Sequence, residues 1–482
     1  LPETINENQD FFKGALYMKK IDRREFISSS IRNTAAVSIS MAALGGSSRR
    51  VLGANDKVVL GIIGAGSRGS NVLLNMVKKI PHVEVKYICD VNQFKGVSLG
   101  EELKSLQGYA PKREIEMRKV FADKEVDAVL VATPEHWHAL ASVWACQAGK
   151  DVYVEKCHSL SVFEGRKVIE AAEKYKRIVQ VGTQNRSGEY ARLGAEYIKS
   201  GKLGKVLYVH SYNMMNKQGR QKKQSDEPVP KELDWDRWLG PAPWVPYNPG
   251  RMSLQGGRGW QEHWDYCGGV LSDDGSHVLD LMRLVMGDPP HPKSVHCQGG
   301  RYLYDDGREI PDFQEVTWDF GEWVATMTCS EFTPYMKKCS QDVRYGKIWP
   351  WWPTNSTRTE IYGTEGVMYS GRHGCGWQVF VEEPDDRSAC KPKLLTEFKG
   401  YFPDDAHQKN WIECIKNRKK PNGDPVQGHL SACLVHLGNI AYRTGNKKLY
   451  FDGSAEAFVQ DPEANSLLSR PYRGEYRVPD AV

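Results

Sequence analysis

Residues 57–69 constrain this chain more than any other stretch: Lys57-Val58-Val59-Leu60-Gly61-Ile62-Ile63-Gly64-Ala65-Gly66-Ser67-Arg68-Gly69. An apolar, β-branched run feeds directly into glycines spaced G-x-G-x-x-G. A helix-like segment (70–80) follows, and a second apolar run (83–89) ends on Asp90. Each piece has a job where a strand turns into a helix over a pyrophosphate. Gly64 permits the tight turn, Gly66 lets the backbone approach the phosphates, and Gly69 lets the helix lie close to the strand. The helix N-terminus, where Ser67 and Arg68 lie, offers unpaired N–H groups and a partial positive charge. Asp90 falls roughly 20 residues past the last glycine, where an acid accepts hydrogen bonds from a ribose diol. A dinucleotide site is expected. Asp90 would repel a 2′-phosphate and so favours NAD, while Arg68 could accept that phosphate and leaves NADP open.

The chain has 482 residues, room for two to three domains. Its 40% hydrophobic and 26% charged residues are those of a globular protein. The net charge of +5 is small against 65 basic and 60 acidic residues, and no basic run or aromatic–basic repeat stands out. Nucleic acid is therefore not an expected partner. Eleven cysteines include no C-x-x-C pair, which reads against a zinc ribbon or thioredoxin-type centre. No metal is expected.

Residues 1–54 read as an extension carrying an address rather than as part of the fold. Met18-Lys19-Lys20 opens a basic segment, Arg23-Arg24-Glu25-Phe26-Ile27 resembles a twin-arginine signal, and 34–46 is weakly apolar. That stretch is too short to span a bilayer, which takes about 20 apolar residues. Export to the periplasm is the expectation, with Met18 as the start. A basic tail on a cytoplasmic protein is the alternative, and Arg32 inside the apolar stretch speaks for it.

Short apolar runs then alternate with helical segments. Strands are expected at 126–132, 151–155 and 178–182, and helices at 139–148 and 163–174. This alternation gives a doubly wound parallel sheet over 55–182. Beyond it, 206–212, 315–320, 324–329, 359–362 and 377–381 read as aromatic and β-branched strands joined by turns. A second α/β domain over 183–482, with an open and mainly antiparallel sheet, is expected. A helix over 429–443 shows one apolar stripe, and an insertion at 217–259 reads as a long loop bordering the active site.

Two constellations carry chemistry. Thr133-Pro134-Glu135-His136-Trp137-His138 and Glu155-Lys156 each follow a buried strand, at the sheet edge where ligands bind. Asp273 and His277 are four apart near the start of an apolar helix and so share a face. A carboxylate and an imidazole there could grip a sugar hydroxyl, with one of them or Lys156 taking its proton. The plainer reading of that pair is a capping aspartate and a core histidine. Among fourteen tryptophans, Trp235, Trp238 and Trp244 in the insertion and Trp349, Trp351 and Trp352 in a Pro-rich loop suit either sugar faces or loop packing.

The segments GAGSRG, TPEHWHA, AGKDVYVEKC, GKLGKV and GGVLSDDGSHVLD resemble, in order, landmarks of the glucose–fructose oxidoreductase / inositol dehydrogenase / MocA family. The closing AHQKNWIECIKNRKKP and HLGNIAYRTG resemble the C-terminal part of an often exported bacterial branch. The resemblance implies a sugar or polyol oxidoreductase with tightly bound NAD, working as a homodimer or homotetramer. It puts the catalytic lysine on Lys156 and the catalytic aspartate and histidine on Asp273 and His277. Its nucleotide residues fall on Gly64, Gly66, Gly69 and Asp90, with Thr133, His136 and Glu155 on the nicotinamide side. A redox-neutral, NAD-dependent glycosidase and a non-catalytic sugar or nucleotide sensor are the rival readings. One departure stands out: the family usually has proline after the lysine, where this chain has Cys157. Without it Lys156 is expected to be less firmly aimed, and Cys157 is either a passive substitute or a reactive thiol beside a cation.

Overall fold

The computed structural model describes residues 56–215, 224–252, 259–332, 339–382 and 392–482. The extension with its arginine pair, and part of the insertion, lie outside them.

Six strands form the first sheet: β1 (Val58–Ile63), β2 (Val83–Cys89), β3 (Lys112–Glu114), β4 (Ala128–Val131), β5 (Asp151–Val154) and β6 (Val179–Val181). Their order is β3-β2-β1-β4-β5-β6, all parallel. The chain leaves β1 in one direction and returns on its other side at β4, which opens a crevice at the carboxyl ends of these two strands. Because β1, β4 and β5 have helices on both faces, they read as near-continuous apolar runs. One face packs on the helices Glu135–Gln147 and Val162–Lys174. The other packs on Ser67–Lys79 and on the late helix Asp404–Asn417, through Trp411, Ile412 and Ile415. The last residues also return here, with Tyr476, Val478 and Val482 joining the core of this sheet.

Ten strands form the second sheet: β7 (Val206–Met214), β8 (Ser294–Gly300), β9 (Phe313–Asp319), β10 (Val324–Ser330), β11 (Arg358–Gly363), β12 (Gly366–Gly371), β13 (Gly376–Val381), β14 (Lys393–Lys399), β15 (Leu449–Asp452) and β16 (Ala457–Phe458). The order is β14-β13-β12-β11-β7-β10-β9-β8-β15-β16, antiparallel except for the β7–β10 pair. This is the open, mainly antiparallel sheet expected, with twice the number of strands read from sequence. Its inner face packs on the helices Asp274–Val285 and Pro425–Arg443, around Val209, Trp318, Met327, Ile361, Leu281 and Leu437. The second helix starts four residues earlier than its apolar stripe, because Asp424 accepts from Val426 and Gln427 N–H at 3.0 and 3.3 Å and Pro425 fills the first turn. The other face alternates to Tyr208, His210 and Tyr212 and is half-exposed. Among the described residues no helix is long and apolar enough to cross a membrane.

Candidate functional site

Strand register builds the first wall. Cys89, Ile63, Val131 and Val154 are paired laterally across β2-β1-β4-β5. The next residues, Asp90, Gly64, Ala132 and Glu155, therefore form a row along the carboxyl edge. With strands ~4.8 Å apart, Asp90 and Glu155 sit roughly 14 Å from each other. A cleft of about 790 Å³ opens on this edge, lined by Gly64, Gly66, Ser67, Arg68, Asp90, Thr133, Glu155 and Lys156.

Gly64 has φ +90°, and a Cβ there would lie 2.7 Å from the Ala132 carbonyl oxygen. No other residue makes that turn without moving β4. A Cβ on Gly69 would lie 2.5 Å from the Gly64 oxygen, which keeps the helix against the strand. The helix opens at Ser67 and its first internal bond runs from Ser70 N–H to the Gly66 carbonyl at 2.9 Å. The N–H groups before it are the anion-binding end. Asp90 braces this loop, accepting from Ala65 and Asn92 N–H at 2.8 and 2.9 Å. Burial pushes its carboxyl above the ordinary value, although both backbone bonds oppose this. Each carboxylate oxygen keeps a lone pair for a diol. Thr133 Oγ1 is buried and has no hydrogen-bond partner among the described residues. A glycine cradle, an acid at the second strand end and an orphaned hydroxyl on the same edge fit a dinucleotide.

Arg68 is engaged elsewhere. Its Nε donates to Glu155 at 2.8 Å and its Nη2 lies 3.6 Å from Asp404. That ties the guanidinium to the β5 end of the row, away from Asp90, so it does not stand ready for a 2′-phosphate. His136 differs from expectation too. It is fully buried beneath Trp238 and Tyr266, does not line the cleft, and donates from Nε2 to the Trp238 carbonyl at 3.0 Å. Burial lowers its pKa to about 3, so it is neutral. The reason is local: the helix after β4 starts at Glu135 instead of 139, which turns His136 into the first turn and under the insertion. His138 does line the cleft and bridges the Cys157 and Thr133 carbonyls at 2.6 and 2.8 Å.

The second wall comes from the other sheet's helices and loops. Lys156 reaches across to Asp273, with Nζ 2.7 Å from its carbonyl oxygen and 3.0 Å from Oδ1. Burial pulls the Lys156 pKa down, but Asp273, Glu135 and Asp274 outweigh it, and the net displacement is upward. Lys156 is therefore an ammonium at neutral pH. His277 lies one turn further on and is buried, and its Nδ1 has no partner among the described residues. Burial, then Arg372 and Lys156, hold its pKa well below the ordinary histidine value. A clamped ammonium and a neutral imidazole thus face one cleft. The Lys156–Cys157 peptide is cis with cysteine in the proline's place, and Lys156 is held at both contacts with Asp273. Burial pushes the Cys157 thiol up to about 12, which is an inert thiol.

Sequence reasoning missed several residues of this wall. Asp274, Arg344 and Arg372 line the cleft beside His277, and Asp274 pairs with Arg372. Ser272 Oγ donates to the buried Glu135 at 2.7 Å, tying the two walls together. Trp238, Tyr247 and Met252 of the insertion also line the cleft, as its length suggested, whereas Trp349, Trp351 and Trp352 do not. Trp235 stacks on Trp238 at 4.7 Å and 13°, so these two rings pack on each other. Elsewhere, His291, His429, Cys433 and Glu456 bring donor atoms within 4.8 Å of one another. There the Glu456 carboxylate is taken by Arg166 and both histidines, as a hydrogen-bonded ion-pair network.

Residues 58–183 match the model of an oxidoreductase family's NAD-binding Rossmann fold, and residues 198–321 and 386–478 match that family's C-terminal alpha/beta domain. The chain is similar to the scyllo-inositol 2-dehydrogenase (NAD(+)) of Bacillus subtilis, 23% identical over 391 residues, covering 80% of this chain and 94% of that one. Among solved structures, a levoglucosan dehydrogenase in complex with NADH and levoglucosan superposes with a TM-score of 0.58 at 16% identity, over 82% of this chain and 99% of its own. An aldose–aldose oxidoreductase from Caulobacter crescentus, complexed with glycerol, gives 0.57 at 17% identity over 82% and 100%.

Proposed function

The chain belongs to the glucose–fructose oxidoreductase / inositol dehydrogenase / MocA family of NAD-binding oxidoreductases, and we propose that it transfers a hydride between NAD and a hydroxyl-bearing carbon of a sugar, glycoside or polyol. The observation that carries this reading is the Lys156–Asp273 clamp. It sets an ammonium, with the neutral His277, in the same cleft as the glycine turn and Asp90. The names of the relatives, which act on inositol and levoglucosan or bind glycerol, support the substrate class.

The nicotinamide supplies the hydride acceptor, and everything else falls to the chain. Gly64, Gly66, Ser67 and Gly69 would hold the pyrophosphate, Asp90 the ribose, and Thr133 and Glu155 the nicotinamide side. Lys156 donates a hydrogen bond to the substrate oxygen and favours the charge that builds there as the C–H bond is lost. His277, neutral and unpartnered at Nδ1, receives the hydroxyl proton. Asp273 keeps Lys156 aimed and charged. Oxidation of the carbinol to a carbonyl releases one proton, which His277 takes, and one hydride, which a bound nicotinamide would accept. In reduction the same two groups run in reverse.

Mass spectrometry of the purified and then denatured protein tests for retained NAD, and absorbance with a panel of hexoses, hexuronates and polyols tests for NADH. NADH formation with any of them is the expected result. Glycoside cleavage with no net NADH would replace this reading by the redox-neutral glycosidase. Neither product would leave a sensor. We propose further that the protein is exported through Arg23-Arg24-Glu25-Phe26-Ile27, so that NAD is acquired before export and kept bound. Equal periplasmic amounts of the parent and the Arg23→Lys, Arg24→Lys variant would overturn this. A homo-oligomer through the half-exposed face of the second sheet, where Tyr208 stacks on Tyr362 at 5.7 Å, is proposed as well. A monomer by light scattering would refute it.

A further inference from the structure

Among the described residues, the cations beside the Lys156 clamp pair off with one exception. Lys156 has Asp273, Arg68 has Glu155, and Arg372 has Asp274. Arg344 lines the same cleft, and no carboxylate of the described residues lies within ion-pair distance of it. Its Nε is buried with no hydrogen-bond partner among the described residues. Arg372 spends only part of its fork on Asp274: the residue is 5% exposed, and its Nε is also buried and unpartnered among the described residues. The two guanidiniums converge on one ring, with their central carbons 5.4 and 5.9 Å from the centroid of Phe402. Burial and then the Arg372 charge hold the Arg344 pKa below the ordinary arginine value.

Two cations held together away from water, with donors left over, cost free energy until an anion fills the gap. A planar fork matched to a carboxylate or phosphate returns it through charge-assisted hydrogen bonds. The location says which anion. Arg372 is bonded to Asp274, the residue next to the Lys156 clamp, so the pair stands beside the reacting groups. Asp90, where a 2′-phosphate would lie, is at the other end of the row, roughly 14 Å from Glu155 at ~4.8 Å per strand. The anion therefore belongs to the substrate and not to the cofactor.

We propose that Arg344 and Arg372 form an anion subsite that selects sugars bearing a carboxylate or a phosphate a few bonds from the oxidised carbon. This rests on the hydride-transfer reading and narrows it to acidic sugars. Two glycines help place the pair: Gly346 follows Arg344 at φ +79°, and Gly374 follows Arg372 at φ +101°. Both arginines are thereby set just before reversals of the chain.

The test compares kcat/KM on the NAD-loaded enzyme for hexuronates, hexose 6-phosphates and the parent hexoses. The best anionic sugar should exceed its neutral parent by ~10²-fold or more, as expected where a buried polar site is left unfilled. Which of the two arms wins identifies carboxylate or phosphate. Arg344→Gln should shrink that ratio at least ~10-fold with NAD affinity unchanged, and Arg344→Lys, which keeps the charge without the fork, should fall between. Equal turnover of acidic and neutral sugars by the parent, or an unchanged ratio in Arg344→Gln, would overturn the subsite. Were no sugar turned over, calorimetric titration of the NAD-loaded protein with the same sugars would separate the two ideas. Binding of an acidic sugar that needs Arg344 would keep the subsite and remove the hydride reading. No binding of any acidic sugar would remove the subsite.

Discussion

On one wall of the cleft Asp90, Gly64, Ala132 and Glu155 each follow directly on a strand, and register alone sets them side by side. On the other, Asp274 opens a helix, Arg344 ends a single helical turn, Arg372 follows β12, and Trp238 comes from an inserted segment. The first wall is periodic: a parallel strand ends, the next residue faces the ligand, and the spacing is that of the ladder. The second has no period, and its members meet because of how helices and loops pack over an antiparallel sheet. A wall of the first kind suits a constant partner such as a dinucleotide. A wall of the second kind can change residue by residue, which is what substrate choice needs.

The largest test of this division is Lys156→Met, at the one place where the walls touch covalent chemistry. Removing a positioned donor to the oxygen where charge builds typically costs ~10²–10³-fold in rate, and the nucleotide wall should be untouched. Turnover should collapse while NAD affinity, measured by fluorescence titration, stays within a few-fold. Turnover within a few-fold of the parent would take Lys156 out of the mechanism.

Acid should weaken both walls together. Burial lowers His136 to about 3, His407 to about 4 and His436 to about 3, against an unfolded value near 6.5. Between these limits the unfolded chain holds more protons, so stability is intact above pH ~6.5 and is lost as pH falls towards the folded values. At pH 5.5 the three together should remove about 4 kcal/mol. Urea midpoints at pH 7.5 and 5.5 measure this. A midpoint that does not move would mean that these rings are protonated in the fold.

Much of the first wall was legible in the sequence, and the reasons are local. Gly64, Gly69 and Asp90 carry backbone demands that only those residue types meet, and Glu155-Lys156 announces itself by following a buried strand. The exceptions are instructive. His136 sits behind the wall, because a helix beginning at Glu135 turned it inward. Arg68 answers to Glu155, a residue 87 positions later. On the other wall the Asp273–His277 spacing and the length of the insertion were visible. Arg344 ends a single helical turn and Arg372 stands just past a strand, neither with a periodicity to read, and nothing in their neighbourhoods marks them until the fold brings them over Phe402. Of the ten strands in the second sheet five were read, and the missed β14 is mostly exposed and lacks a buried face to give it a pattern.

The seam between the walls offers a smaller effect. Ser272 Oγ donates to Glu135 Oε2 at 2.7 Å, and among the described residues that oxygen otherwise accepts from the Gly268 N–H at 3.3 Å. Ser272→Ala leaves a buried carboxylate short of a donor, at a cost of ~1.5–3 kcal/mol. Chemical denaturation should show that loss as a lower midpoint at unchanged slope. A change below ~0.5 kcal/mol would mean that the two walls do not depend on each other there.

The smallest effect asks whether the first wall chooses its nucleotide by charge. Asp90 does two things at once: its oxygens brace the glycine loop through Ala65 and Asn92, and its charge faces the expected ribose. Asp90→Ala loses both functions, whereas Asp90→Asn keeps one of the two oxygen acceptors for the loop and loses the other together with the charge. NAD affinity should therefore fall more in the alanine variant. The NAD/NADP preference should narrow similarly in both, by ~10-fold, the equivalent of about 1.4 kcal/mol. Because Arg68 is paired with Glu155 at the far end of the row, it is not placed to rescue NADP binding, and Arg68→Ala should leave the ratio alone. Parallel titrations of the three variants with both nucleotides decide the matter. A ratio that moves with Arg68 and not with Asp90 would show that the guanidinium leaves Glu155 when a 2′-phosphate arrives, and the first wall would then share the adaptability assigned to the second.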